Sequence, residues 1–183
     1  MSNRFLKIFF CIVASLILSA CATKPLPPKG EVLPQISLND TAGKWYEIGA
    51  VPKLYTDCFC SYAVYKPEQD FVKASSYCRQ KSVTGPERSA DVLFYPIKGS
   101  HNARYVVKFN WLFSGDFWIV YVDEQDNTAI IATPNKKHFW MIARTPTVSK
   151  QTYQKMYEFL QQKGYPVSKI RLTDQSCWVK KTG

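Results

Sequence analysis

The sequence predicts an all-β fold, an eight-stranded up-and-down antiparallel barrel with one C-terminal α-helix packed outside. Three observations predict it. Strand-like runs bounded by turn residues recur at short intervals from Gly43 to Arg144, the spacing of an all-β barrel or sandwich. A Gly-x-Trp segment, Gly43-Lys44-Trp45, opens the first run and Arg144 ends the last. That arrangement suits a sheet closed on itself, where first and last strands are neighbours and a guanidinium lies over an indole face. Beyond the last run, Tyr153, Met156, Tyr157 and Leu160 fall at i, i+3, i+4, i+7 spacing, the pattern of a single amphipathic helix.

Taken in order, the chain opens with a targeting segment. Arg4 and Lys7 precede an apolar run from Ile8 to Ala20 that is too short to remain as a membrane-spanning helix. It ends in Leu18-Ser19-Ala20-Cys21, which matches the bacterial lipobox, where the signal is cut before the cysteine and the thiol is lipidated. Ala22 follows rather than an aspartate, and the sorting rule for such lipoproteins then sends the chain to the outer membrane, with the periplasmic face expected. The division is residues 1–20 as lipoprotein signal peptide, residues 21–35 as the lipidated Cys21 and a proline-rich tether, and residues 36–183 as the barrel domain. Pro25, Pro27, Pro28 and Pro34 make the tether an extended spacer with little to bury. The domain is long enough for one sizeable core and too short for two.

Eight runs read as strands: Gly43 to Val51, Cys58 to Lys66, Phe71 to Gln80, Ala90 to Ile97, Ala103 to Trp111, Asp116 to Asp123, Thr128 to Thr133, and Lys137 to Arg144. Turn residues separate them, notably Pro67-Glu68-Gln69-Asp70 and Lys98-Gly99-Ser100. From Arg104 to Trp111 every odd-numbered residue is apolar and three of the four even ones are polar. Tyr105, Val107, Phe109 and Trp111 therefore share one face. Phe117 to Val122 is apolar on both faces, so one face meets the interior and the other needs a cover. The segment Ser149 to Lys163 supplies it, capped by Ser149 and stopped by Gly164 and Pro166. A short tail strand near Lys169 to Thr173 follows.

The formal charge of +10 falls by two when Arg4 and Lys7 leave with the signal. The remaining basic residues are scattered and attract anionic head groups over a Debye length. They are not interleaved with stacking aromatics, which excludes an evident nucleic-acid surface. Catalytic material is thin. His101 falls in a loop and His138 at the start of the last strand. Ser75-Ser76 lies in no Gly-x-Ser-x-Gly elbow, and no glycine loop cradles phosphate. Asp123, Glu124 and Asp126 share one turn, where they solvate it. Glu47 alternates with an inward Trp45, and an enclosed carboxylate there has a raised pKa or a cationic partner. Once Cys11 and Cys21 are set aside, Cys58, Cys60, Cys78 and Cys177 remain. An even set in an exported domain argues for two disulfides, in any of three connectivities. Their spacing is a poor match to a structural zinc site. No catalytic residue, metal or cofactor is assigned.

At Gly43-x-Trp45 and Arg144 the chain resembles the lipocalin family, whose first and third motifs these are. Val122-Asp123 stands where the second motif's Thr-Asp-Tyr is expected. Val107-Lys108-Phe109-Asn110-Trp111 and Thr173-Asp174-Gln175 look most like the branch that holds bacterial outer-membrane lipocalins and apolipoprotein D. The resemblance runs from roughly Ile36 to Cys177. It implies a lipocalin barrel with Gly43, Trp45 and Arg144 as its structural motif. It favours Cys60 with Cys177, leaving Cys58 for Cys78, while strand register leaves the exchange of Cys58 and Cys60 open.

Joined to the alternation, the family register implies an inward ligand-binding set of Tyr65, Ser76, Val107, Phe109, Phe117, Ile119, Tyr121, Ile131 and Trp140. That lining suits a long acyl chain with its polar head at the mouth, where Lys53, Arg88 or Arg104 meets an anionic head group. The function implied is a membrane-anchored lipocalin that binds, stores or transports fatty acids or lysophospholipids in the bacterial cell envelope. The partners implied are that ligand, the membrane through the N-terminal lipid, and a second copy as a homodimer, with no nucleic acid. Two other classes stand beside it. One is a lipocalin-like enzyme of isomerase type, which needs an unpaired thiol or an inward acid. The other is an envelope interaction protein whose barrel is filled solid.

Overall fold

The computed structural model describes residues 33–51, 57–109 and 114–178. The signal segment, Cys21, most of the tether, Lys53 and Trp111 lie outside the described residues. A single helical turn, α1 (Leu38–Thr41), precedes eight strands: β1 (Gly43–Val51), β2 (Cys58–Pro67), β3 (Val72–Gln80), β4 (Glu87–Pro96), β5 (Arg104–Lys108), β6 (Ser114–Asp123), β7 (Thr128–Ala132) and β8 (Phe139–Ala143). A helix, α2 (Lys150–Gln162), a 3-10 turn (Val167–Lys169) and a short β9 (Arg171–Leu172) complete the chain. Each of the eight strands pairs antiparallel with the next, and β1 pairs with both β8 and β2. The result is a closed eight-stranded antiparallel barrel with one helix outside.

Two apolar layers follow from the alternation of side chains across each strand. Inside the barrel, Val72, Tyr105, Val107, Ile119 and Ile131 form a cluster against which Tyr65, Phe94, Phe117 and Ile142 pack. Outside it, Trp118, Val120, Ile130, Phe139 and Met141 pack under Met156 and Leu160 of α2. The doubly apolar β6 is thus covered on both faces, as its sequence requires. Ser149 caps α2 by accepting from the Thr152 N–H at 3.0 Å. At the other end Gly164 adopts φ +75°, and the Tyr165 N–H reaches the Leu160 carbonyl at 2.9 Å, the left-handed ending that glycine permits. The buried seam of α2 runs through Thr152, Met156 and Leu160, with Phe159 against Tyr121.

Several element boundaries differ from expectation, and for β4 and β8 the reason is physical. β4 begins at Glu87, because its pairing continues to Arg79↔Glu87 through polar exposed residues that carry no apolar signal. β8 begins at Phe139, because the Asn135 side chain accepts from the Lys137 N–H and fixes a turn there. α1 was not expected at all, being one turn in a segment too short for periodicity to register.

The seam between β1 and β2 has two parts. In its lower part Gly43 to Tyr46 pair directly with Tyr65 to Tyr62. Above Tyr46 the tail takes over. β9 pairs with Gly49 and Ala50, the Thr173 N–H donates to the Ile48 carbonyl, and the Cys60 N–H donates to the Asp174 carbonyl. Gln175 donates from Nε2 to the carbonyls of both Glu47 and Ser61, at 2.7 Å each. Two disulfides form, Cys58–Cys78 and Cys60–Cys177, and the second ties this tail to β2.

Candidate ligand-binding site

The floor of the barrel is built around Trp45. The Arg144 guanidinium lies 3.9 Å from its ring centre. Nη1 donates to the carbonyls of Ala42 (2.7 Å) and Lys44 (3.2 Å), and Nη2 to that of Asp40 (2.7 Å). The indole N–H donates to the Thr41 carbonyl at 3.0 Å. One cation therefore binds the α1 strap across the barrel end while holding the ring flat. Gly43 makes room for it. Its φ of +89° is open to glycine, and a Cβ there would stand 3.3 Å from Nη1 of Arg144.

Over this floor lies a cavity of about 490 Å3, within the range of small-molecule sites, ~300–1,000 Å3. Its wall is largely apolar, formed by Trp45, Val72, Phe94, Ile119, Ile131 and Ile142. One end is polar, where Asn39 and Asp40 of the strap face Glu124 and Asn127 of the β6–β7 turn. Asp123 stabilises that turn by accepting from the N–H groups of Gln125 and Asp126 at 3.0 Å. Those bonds hold its carboxyl below the usual carboxylate range.

Within the barrel three titratable side chains interact. Glu47 is pushed up by burial, against the lowering effect of hydroxyl donors from Thr173 and Ser61. Thr173 donates to Glu47 Oε1 at 2.5 Å. Tyr65 is pushed up by burial first and then by Glu47 and Tyr105. Tyr105 is pushed up to about 12 by burial alone. Both phenols line the cavity and stay protonated at neutral pH. Glu47 thus answers the expectation of an enclosed acid, with hydroxyls rather than a cation as its partners.

A family model described as "Lipocalin-like domain" matches residues 36–175, which covers this floor, the cavity and the tail. The chain belongs to the lipocalin family. Among its relatives are the outer membrane lipoprotein Blc of Vibrio cholerae, 23% identical over 93% of this chain and 99% of that protein, and bovine apolipoprotein D, 26% identical over 82% of each. Temperature-induced lipocalin-1 of Arabidopsis thaliana is 26% identical over 80% of this chain and 83% of its own. The lipocalin branch is therefore that of the Blc lipoproteins and apolipoprotein D. Insecticyanin from the tobacco hornworm superposes with a TM-score of 0.63 at 19% identity, covering 83% of this chain and 87% of that one. Lobster apocrustacyanin A1 gives 0.61 at 15% identity, covering 75% and 78%. Both show the same lipocalin barrel.

Within this lipocalin, Tyr65, Ile119 and Ile131 line the cavity. Val107 is fully buried on the same inner face. Phe117 faces Trp140 with ring centres 5.2 Å apart, and Phe109, 47% exposed, leans on Phe117 at 6.0 Å. These rings continue the interior surface beyond the cavity. Ser76 follows the parity of Val72 on β3, opposite Ala63, without reaching the cavity wall.

Tyr121 corrects the expected set. Pairing to β7 shifts between Ile119↔Ile131 and Tyr121↔Ile130, so a bulge reverses the alternation there. Tyr121 then lies outside, its ring 5.0 Å from Phe159 of α2, and Val122 joins the cavity wall instead. Arg104, offered as a head-group contact, is buried with its guanidinium 5.1 Å from the Trp118 ring. Arg88 lies exposed on β4. Ile36, Val72, Phe94, Tyr105 and Ile142 also line the cavity and stood outside the expected ligand-binding set; Ile142 is the one that strand parity points to most directly. It sits two residues beyond Trp140 on one face of β8, so period-two reasoning could have found it. Ile36 joins only because its backbone bonds to the β4–β5 turn, donating to the His101 carbonyl and accepting from Asn102.

Proposed function

We propose that this chain is a lipid-anchored lipocalin that binds and stores or transports fatty acids or lysophospholipids in the bacterial cell envelope, with no catalytic step. The observation that carries the reading is the apolar-walled cavity of about 490 Å3 above Trp45. Members of the family bind small hydrophobic molecules, and the relatives named as outer membrane lipoproteins supply the envelope address. The lipobox ending in Cys21 supports the anchor and, through Ala22, the outer membrane. Residues 1–20 are the signal that is cut away, and residues 36–183 carry the barrel.

Binding is partition into a pre-formed cup. Each methylene taken from water contributes about 0.8 kcal/mol, and a rigid barrel spares the ordering cost that a flexible site would add. Trp45, Tyr65, Ile119 and Ile131 touch the chain, while Val107, Phe117, Trp140 and Phe109 guide it in from the far rim. A barrel filled solid does not fit a cavity of about 490 Å3. The thiol version of an isomerase lacks its nucleophile, since Cys58, Cys60, Cys78 and Cys177 are all disulfide-bonded.

The test is lipid extraction and mass spectrometry of the protein isolated from envelopes, with titration of the emptied barrel by a fluorescent fatty acid. Acyl lipid in the extract and saturable quenching of tryptophan fluorescence are expected. The absence of both lipid and quenching would sink the ligand assignment.

A further inference from the structure

We infer that the cavity selects acyl chains that carry a neutral oxygen, a hydroxyl or a ketone, on their buried part, and that the Tyr105 hydroxyl is the group that hydrogen-bonds it. The inference rests on the lipid-carrier reading above and narrows its ligand class. Tyr105 is only 3% exposed and lines the cavity, yet its hydroxyl has no hydrogen-bond partner among the described residues. Buried hydroxyls are ordinarily paired, because an unmade hydrogen bond forfeits the solvation lost on burial. A plain hydrocarbon chain cannot repair that loss. An oxygen on the chain can, by accepting the proton that the phenol keeps.

Why the oxygen is neutral follows from the neighbours. The titratable groups acting on this part of the interior are Tyr65, Tyr105 and Glu47, and none is cationic. Glu47 is approached by Thr173 of the tail and Ser61 of β2, both uncharged. Arg144 lies at the floor with both terminal nitrogens committed to strap and β1 carbonyls. A ligand carboxylate placed beside Tyr105 would lose its hydration with no cation to replace it. The head group therefore stays toward an end of the cavity, and the oxygen at Tyr105 belongs to the chain. The surrounding wall of Val72, Phe94, Ile119 and Ile131 offers an apolar chain good contact while leaving the phenol as the polar anchor.

The experiment measures displacement of a bound fluorescent fatty acid by matched pairs: oleate against ricinoleate, which carries a mid-chain hydroxyl, and palmitate against its chain-end hydroxyl derivative. In the wild-type protein at least one hydroxylated member is expected to bind about tenfold more tightly than its parent, the increment of one well-placed buried hydrogen bond. Tyr105→Phe, which removes only the oxygen, is expected to bring that ratio to about one. A second readout needs no variant: with tyrosine labelled at the ring carbon bearing oxygen, one buried phenol signal shifts on adding the preferred hydroxy acid and not its parent. Ratios of one for both pairs overturn the inference, as does a preference that survives Tyr105→Phe or a phenol spectrum indifferent to the hydroxyl. Parents that bind without discrimination leave the carrier reading standing and refute this one. If no acyl ligand displaces the probe, the carrier reading itself has failed.

Discussion

The barrel is closed in two ways along the same seam. In the lower part β1 meets β2 directly, and Arg144 clamps the strap over Trp45 with three hydrogen bonds. In the upper part β1 and β2 are joined through a borrowed segment, residues 171–175, held by backbone bonds, Gln175 and the Cys60–Cys177 bridge. The lower closure is made of residues near each other in the sheet, and its stability is local packing. The upper closure depends on a terminus, the part of a chain most prone to fray unless tied down. A covalent tie is found at the seam that needs one.

Removing each bridge separately sharpens this comparison most. Cys60–Cys177 spans 117 residues and Cys58–Cys78 spans 20. On the chain-entropy argument the long bridge contributes about 4–5 kcal/mol and the short one about 1.6 kcal/mol less. Urea unfolding of the two double Cys→Ala variants is expected to rank them in that order, with the Cys60/Cys177 variant also exchanging amide protons early in β9. Equal losses would mean the tail holds without its tie. Arg144→Ala is the matching attack on the lower closure. It strips the Asp40 and Ala42 carbonyls of their donor and the indole of its cation, for an expected loss of about 3 kcal/mol in the same assay. A loss under about 0.5 kcal/mol, the level of an ordinary surface change, would show the strap to be held by its apolar contacts alone.

These two closures were not equally legible in the sequence. The lower one could be read because its parts are rare residue types at barrel positions: a glycine, a tryptophan and an arginine about a hundred residues apart. Strand count followed from runs bounded by turn residues and the covering helix from periodicity, since β6 is apolar on both faces and α2 on one, while the closed order came with the Gly-x-Trp and arginine pair and the family they resemble. The upper closure was visible as a short tail strand and, through the family resemblance, as the Cys60–Cys177 tie that the structure forms. That Thr173 would reach Glu47 across the seam depends on tertiary pairing that no local pattern encodes. The same limit produced the error at Tyr121, where period-two counting ran through a bulge between Ile119 and Tyr121. Tyr105, by contrast, stood in the alternating run with Val107 and Phe109 throughout. What marked it out was its unpaired hydroxyl, a property of the folded interior.

Gly43→Ala probes the lower closure at finer grain. The substitution forces an L residue into φ +89° and sets a methyl 3.3 Å from the guanidinium. Strain of this kind costs on the order of 1–2 kcal/mol. Thermal unfolding of Gly43→Ala alone and combined with Arg144→Ala separates the two components. If the costs add, the penalty is backbone strain; if the double variant is less destabilised than the sum, the methyl acts by displacing the arginine.

Glu47→Gln gives the smallest change and the most specific one, because it acts on the slope of stability against pH. Burial raises the folded-state pKa of Glu47 above its unfolded value, so between those two values the native state holds more protons than the unfolded chain. Stability from this group is then fully present below the unfolded pKa, declines as pH rises through the window, and levels off above the folded pKa. Glutamine cannot ionise, and its carbonyl can still accept from Thr173. At low pH the variant is therefore expected to match the wild type within about 0.5 kcal/mol. As pH rises above the ordinary carboxylate range, the wild type should fall away from a variant that stays flat. Urea midpoints across a pH series decide it. Parallel curves would mean that the acid sealed under the tail is solvated, and that the upper seam is looser than its hydrogen bonds imply.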